Sequence, residues 1–237
     1  MSVPPPPVDA VRSSHDRLLT VLAGLTEETA RAPSPLPEWS RAHVAAHLAN
    51  NARALTRMTR AGLEGQLVPM YDGGQEGRAA DIEAVAVRLA PALLADVAES
   101  ARQLEAVWAE VSGPDWDRPI SIRDATLAYT VYSRWRESEI HAVDLGLGVD
   151  CTAWQPDFCV HAVQFLLQRL PVESGAAVVP DDDAHQWVVG AGDGPRVTGR
   201  LCDLTAWLAG REPVGPVRAG DGALPTLDPW PPRLARD

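Results

Sequence analysis

Four segments with helical periodicity follow one another over the first 150 residues of this 237-residue chain. In each of them apolar residues recur at steps of three and four, which places them on one face of a helix. In chain order the segments cover residues 8–25, 41–58, 79–112 and 124–148. The connection at 62–77 is long and rich in glycine, and such loops are often functional. The succession of helices favours a four-helix bundle, in which the apolar faces are buried against one another.

Local signals mark where these helices begin and end. Ser40 is the expected N-cap of the second helix, and Asp124 is the expected N-cap of the fourth. The third segment is either one long helix or a helix pair, with the kink or break at Pro91, because proline cannot continue a helical hydrogen-bond ladder. The fourth helix is expected to stop at Gly146 or Gly148.

The sequence pattern changes after Val149. Two more helices are predicted, over residues 156–170 and 201–210. Runs of β-branched residues between glycine and aspartate turns predict strands over 176–180, 185–190 and 195–199. We therefore predict an α+β fold with two domains, a helical bundle over residues 1–150 and a small α+β domain over residues 151–237.

Charge and composition exclude several classes of function. The net charge is −11 and the 21 basic residues are not clustered, so neither nucleic acid nor an anionic membrane is an expected partner. No run of about 18 apolar residues occurs, and a transmembrane helix is therefore not expected. The N-terminus lacks the basic and apolar regions of a secretory signal. We expect a cytoplasmic protein, and a monomer is compatible with this sequence.

A histidine on the second helix is a candidate metal ligand. His47 and Asn51 fall on the same arc as the apolar residues of that helix, so the imidazole of His47 faces the interior of the bundle. A buried imidazole needs a polar partner. The alternative to a metal is a core histidine that is hydrogen-bonded to the backbone. His43, one turn earlier, is open to both readings at this point.

The fourth helix carries a second candidate pair. Glu137 and His141 are four residues apart and share one face, and Asp144 continues that face. Together with His47 they form a set of two histidines and one carboxylate, which leaves one coordination position open, as catalytic zinc sites do. The alternative is an exposed helix-stabilising pair of small energetic value. Asp144 either orients a ligand histidine or caps the end of its own helix.

Five segments of the sequence resemble the mycothiol-dependent maleylpyruvate isomerases, which belong to the DinB-like metalloenzyme superfamily. HAVDLG with its preceding glutamate is the most specific, WSRAHVAAH is shared with many relatives of unknown activity, and PMY favours the isomerases. The segments are WSRAHVAAHLANN (39–51), VPMY (68–71), SRWRESEIHAVDLG (133–146), LAGR (208–211) and PWPPRL (229–234).

The resemblance implies a fold and a set of site residues. It implies zinc or another divalent metal held by His47, Glu137 and His141 together with water, while His43 is not a ligand. It also implies a C-terminal domain similar to sterol-carrier-protein folds, in which Arg211 has a catalytic and cofactor-binding role. Arg134 is a further cofactor-binding candidate that could receive a carboxylate, although such arginines are more often ion-pair residues.

The implied activity is the metal- and mycothiol-dependent cis–trans isomerisation of maleylpyruvate to fumarylpyruvate in gentisate degradation. A thiolate that adds to the C=C bond turns it into a single bond that can rotate, and elimination then returns the thiol. Cys151, Cys159 and Cys202 form no CxxC motif, which fits an external thiol such as mycothiol. Two alternatives remain, a mycothiol S-transferase acting on electrophiles with the same metal site and a non-enzymatic zinc-bearing binding or regulatory protein.

Overall fold

The computed structural model describes residues 5–122, 124–220 and 222–230. Over these residues the chain has an α+β fold with eight α-helices and a four-stranded sheet. The described residues up to Gly148 form one compact unit, and those from Val149 onwards form a second. No helix in the described ranges has the length and apolar character that crossing a membrane requires.

The first unit is helical. Its helices are α1 (Val8–Leu22), α2 (Glu27–Arg31), α3 (Arg41–Leu63), α4 (Gly74–Ala86), α5 (Ala90–Trp108) and α6 (Ala128–Asp144). Helices α1, α3, α5 and α6 form a bundle, because α1 and α3 each contact both α5 and α6. Helix α3 is buried along most of its length, and its buried alanines allow the neighbouring helices to approach closely; these include Ala42, Ala45, Ala46, Ala49 and Ala52.

The start of α3 is fixed by a reciprocal cap, which confirms Ser40 as its N-cap. The Ser40 hydroxyl accepts from the backbone N–H of His43, and the His43 ring accepts from the backbone N–H of Ser40. The end of α6 also agrees with the sequence. This helix ends at Asp144, and Gly146 follows with a φ of 60°, a left-handed conformation that suits glycine, as expected for a helix stop.

The predicted start of one helix needs correction. Helix α6 begins at Ala128, so Asp124 is not its N-cap; Asp124 has a φ of 55° and lies in a turn closed by a bridge between Pro119 and Thr126. The segment 79–112 is a helix pair, α4 and α5, which is one of the two predicted alternatives, and the break lies just before Pro91, which is in the first turn of α5.

The glycine-rich connection is shorter than predicted, because α3 continues to Leu63 and α4 begins at Gly74. The first turn of α4 requires a glycine at position 77 for a steric reason. A Cβ atom at Gly77 would lie 1.8 Å from the carbonyl oxygen of Asp72, so only glycine fits that first turn.

The second unit combines two α-helices with a mixed sheet. Its elements are α7 (Pro156–Leu166), α8 (Leu201–Leu208), β1 (Ala177–Pro180), β2 (Trp187–Val188), β3 (Arg196–Gly199) and β4 (Arg218–Ala219). The strand order is β2-β1-β3-β4, with β1 parallel to β3 and both edge strands antiparallel. The three predicted strands are confirmed, while β4, a two-residue strand in a segment rich in proline and glycine, was not predicted.

Candidate metal centre

Helices α3 and α6 bring His47, Glu137 and His141 together inside the first unit. The Nε2 atom of His47 lies 2.8 Å from Oε2 of Glu137, and Nε2 of His141 lies 3.2 Å from the same oxygen. One potential ligand atom from each residue lies within 4.8 Å of the others. His47 is 3% exposed and Glu137 is 9% exposed, so the cluster is largely shielded from water. These three residues are called the triad below.

The two imidazoles of the triad are held in different states. Burial lowers the pKa of His47 to about 4, so this ring is neutral and has a lone pair to offer. Burial also opposes the charged form of His141, but hydrogen bonds to Asp144 and Glu137 outweigh it and raise the pKa of His141. The Nδ1 atom of His141 lies 2.7 Å from Oδ2 of Asp144. This bond orients the ring so that Nε2 points into the triad.

The triad fits a divalent metal. Two imidazole nitrogens and one carboxylate oxygen are a ligand set typical of catalytic zinc sites. Tetrahedral zinc with such ligands places neighbouring donor atoms roughly 3.4 Å apart, and the donor atoms of the triad lie 2.8 and 3.2 Å apart. Within the described part of the chain the group contains three residues, which leaves a position for water or substrate.

Aromatic and basic side chains beside the triad were missed by the sequence analysis. The Arg78 guanidinium on α4 lies 5.7 Å from the ring centroid of Trp39 and 5.8 Å from that of Tyr71. Its Nη2 atom lies 3.2 Å from Nδ1 of His47. The Trp39 ring in turn lies 5.6 Å from the His47 ring. Arg78 therefore places a positive charge at the edge of the triad, and the only sequence signal for it was the position of its helix beside the glycine-rich connection.

His43 has a structural role in this arrangement. Besides closing the cap with Ser40, its Nε2 atom lies 3.2 Å from the Glu83 carboxylate. Its ring stacks at 6.5 Å on Trp39 and does not join the triad.

Arg134 lies inside the bundle rather than on a surface. Its side chain has no exposed area, and burial lowers the pKa of the guanidinium to about 10. Its Nε donates to Nε2 of His15 at 2.9 Å, and Nη1 donates to the carbonyl of Leu48 at 2.8 Å and to Oδ1 of Asn51 at 3.1 Å. These contacts tie α1, α3 and α6 together and favour the structural reading of Arg134 over cofactor binding.

Arg211 follows α8 in the second unit. Its guanidinium donates to the carbonyl of Ala209 at 2.7 Å and lies 5.8 Å from the ring centroid of Trp230. The side chain is partly exposed. The catalytic and cofactor-binding role of Arg211 stays a prediction. Of the closing segment at 229–234, residues 231–234 lie outside the described residues.

The surroundings of the cysteines, all three of which are described, lower the pKa of neither Cys151 nor Cys202. Cys151 and Cys159 are buried, and burial raises the pKa of Cys151 to about 12. Cys202 is partly exposed, and burial raises its pKa as well. Thiol chemistry at neutral pH with Cys151 or Cys202 would start from the protonated form.

The chain is similar to one known protein family and to solved structures. Residues 11–146 match the family model of the mycothiol maleylpyruvate isomerase N-terminal domain. Two solved structures share the fold over 96% of this chain and 95% of theirs, each with a TM-score of 0.81 and 24% identity. One is the crystal structure of the mycothiol-dependent maleylpyruvate isomerase, and the other is a histidine-to-alanine mutant of it. The search of curated proteins gave no match.

Proposed function

The chain belongs to the mycothiol maleylpyruvate isomerase family, and we propose that it converts maleylpyruvate to fumarylpyruvate with a divalent metal and mycothiol. The observation that carries this proposal is the convergence of His47, Glu137 and His141 in a buried cluster with room for a further ligand. Gentisate degradation is the pathway in which such an isomerisation is used, and zinc is the metal that we expect. The likeness of the second unit to sterol-carrier-protein folds belongs to the same proposal.

The triad would hold the metal through the two imidazoles and the carboxylate. When bound, metal and mycothiol together supply a thiol of lowered pKa that adds reversibly to the substrate's C=C bond, so that the bond can rotate. Asp144 keeps the His141 ring in the orientation that presents Nε2. The Trp39 ring covers one side of His47 and limits the access of bulk water to it.

Arg78 is our candidate for holding a carboxylate of the dianionic substrate. In the arrangement described, the guanidinium donates to Nδ1 of His47, so the proton of this neutral ring is on Nε2, towards Glu137. If Nε2 becomes a ligand, the proton must sit on Nδ1, which can then no longer accept from Arg78. With a metal on Nε2 the guanidinium of Arg78 would lose this acceptor, and its planar set of N–H donors would be suited to a carboxylate.

An absorbance assay of maleylpyruvate loss, with and without mycothiol, tests the proposal. We expect turnover that requires both the metal and the thiol and that returns free mycothiol beside fumarylpyruvate. A stable mycothiol conjugate as the product would instead establish the S-transferase, and metal binding without turnover of either kind would favour the binding protein.

Matched variants connect this activity to the triad. His47→Ala, Glu137→Ala and His141→Ala should each lose the metal and the activity. His43→Ala, four residues from His47 on the same helix, should keep the metal, because His43 contacts Ser40 and Glu83 instead. Retention of the full metal content by the His141 variant would contradict the proposed site.

A further inference from the structure

A second cluster of reactive side chains lies in the second unit. Cys151 opens a short 3-10 turn (Cys151–Ala153) that contacts α8, and Cys202 is the second residue of α8. The two sulfur atoms and a carboxylate oxygen of Asp203 lie within 4.8 Å of one another. Sγ of Cys151 donates to Oδ1 of Asp203 at 3.6 Å.

The surroundings of Asp203 disfavour a metal at this cluster. Oδ2 of Asp203 accepts from Nε of Arg200 at 2.6 Å, and Oδ1 accepts from the backbone N–H of Gly215 at 2.7 Å. The carboxylate is therefore already neutralised by a guanidinium. A metal cation would have to displace or face that positive charge, whereas two neutral neighbouring thiols become linked by losing two electrons and two protons, with no charge added to the cluster.

The two thiols differ in their access to solvent. Cys151 is 1% exposed, while Cys202 is partly exposed. Burial and then the charge of Asp203 raise the pKa of Cys202, and the charge of Arg200 offsets only part of this effect. An external reagent can therefore reach Cys202 first, and Cys151 lies behind it.

We propose that Cys202 and Cys151 form a thiol–disulfide exchange site whose substrate is a low-molecular-weight disulfide. This inference concerns the second unit and does not depend on the proposed isomerase activity. Cys202 is the attacking thiol and Cys151 is the resolving thiol, and the product is a disulfide within the second unit.

The exchange is balanced in atoms and electrons. The Cys202 thiol loses its proton to solvent, and the thiolate attacks one sulfur of the external disulfide, whose S–S bond breaks and releases one thiolate. The Cys151 thiol then gives its proton to the released thiolate and attacks the Cys202 sulfur, which releases the second external thiolate to be protonated from solvent. The two protons of the cysteines end on the two released thiols. The protein loses two electrons, and the external disulfide gains them.

Intact-mass spectrometry of the full-length protein, treated with excess bis(2-hydroxyethyl) disulfide, tests this exchange. The wild-type protein should lose the mass of two hydrogen atoms and carry no adduct. Cys151→Ser should stop at the first step and keep one mercaptoethanol adduct on Cys202. Cys202→Ser should keep neither the adduct nor the internal disulfide. Cys159→Ser is the matched control, a buried cysteine on α7, and should react as the wild-type protein does.

Peptide mapping without reduction keeps the test decisive if a variant fails to fold. Trypsin cuts after Arg169 and Arg200, so Cys202 leaves in a different peptide from Cys151 and Cys159. A disulfide-linked pair of these peptides, present also in Cys159→Ser, supports the proposal. An unchanged wild-type mass after treatment would overturn it, as would an adduct that persists in the wild-type protein. A second equivalent of bound zinc that both Cys151→Ser and Cys202→Ser lose would also overturn it, in favour of a metal site.

Discussion

Replacing Asp144 separates an orienting role at the metal site from a role at the end of α6. Asp144 is 1% exposed, and its Oδ2 atom lies 2.7 Å from Nδ1 of His141. In Asp144→Asn the amide oxygen can still accept from that N–H, so the ring keeps its orientation but loses the negative charge behind it. In Asp144→Ala both the charge and the hydrogen bond are lost.

The size of the effect follows from what the carboxylate does to the ring. A carboxylate behind a ligand histidine makes the imidazole more basic, and its removal typically costs about 10- to 100-fold in metal affinity. That range corresponds to about 1.4–2.7 kcal/mol of binding free energy. We expect Asp144→Asn near the lower end and Asp144→Ala near the upper end, because only the alanine variant also frees the ring to rotate.

The affinity is measured by competition between metal-stripped protein and a chromophoric zinc chelator at neutral pH. His43→Ala serves as the control, since it removes a histidine at the start of α3 that does not belong to the triad, and its affinity should equal that of the wild-type protein. Wild-type zinc affinity in Asp144→Ala, together with a lower Tm, would refute the orienting role. Asp144 would then be a residue that stabilises the end of α6.

Three further predictions concern residues away from the triad. Arg211→Leu should fold and keep its metal but lose most of its turnover, with only partial recovery in Arg211→Lys, which lacks the planar fork; normal kinetics would make Arg211 a helix-end cation. Arg134→Met should lower the free energy of unfolding in urea by about 3–5 kcal/mol, because it breaks a buried charge network, whereas Arg102→Met, on the surface, should change it by less than about 1 kcal/mol. Burial lowers the pKa of His15 below 6.5, so stability is fully present above pH 6.5 and is lost as the pH falls towards the folded-state pKa; His15→Gln should show a smaller loss, and an unchanged pH dependence would contradict this reasoning.

Helix boundaries could be predicted where a residue type favours a single local backbone arrangement. Ser40 and Gly146 carry such signals, since a cap and a left-handed stop depend on neighbouring backbone atoms alone. Asp124 misled the prediction because aspartate favours turns as much as helix starts, and nothing local distinguishes the two. The two-residue strand β4 depends on pairing with β3, which is information that its own residues do not contain.

The candidate site was predictable to the extent that helical spacing determines it. The separation of four residues between Glu137 and His141 brings the two side chains together on any helix. The approach of His47 depends on how α3 packs against α6, and the interior face of α3 only suggested it. The burial of Arg134 could not be predicted, because arginine is rarely buried and its partner His15 lies 119 residues away in the sequence. Arg78 lies on a helix whose apolar pattern is too weak to indicate a face.

The triad joins two helices whose contributing residues, His47 and Glu137, are 90 positions apart in the chain. An ion held between them is a removable cross-link that the unfolded chain has no means of forming. Ligands that bind only the folded state stabilise it in proportion to the logarithm of their concentration, by about 2.7 kcal/mol at 100 times the Kd. The helical unit is therefore expected to melt at a temperature set by the free metal around it, and a chelator would act on this protein as a mild denaturant.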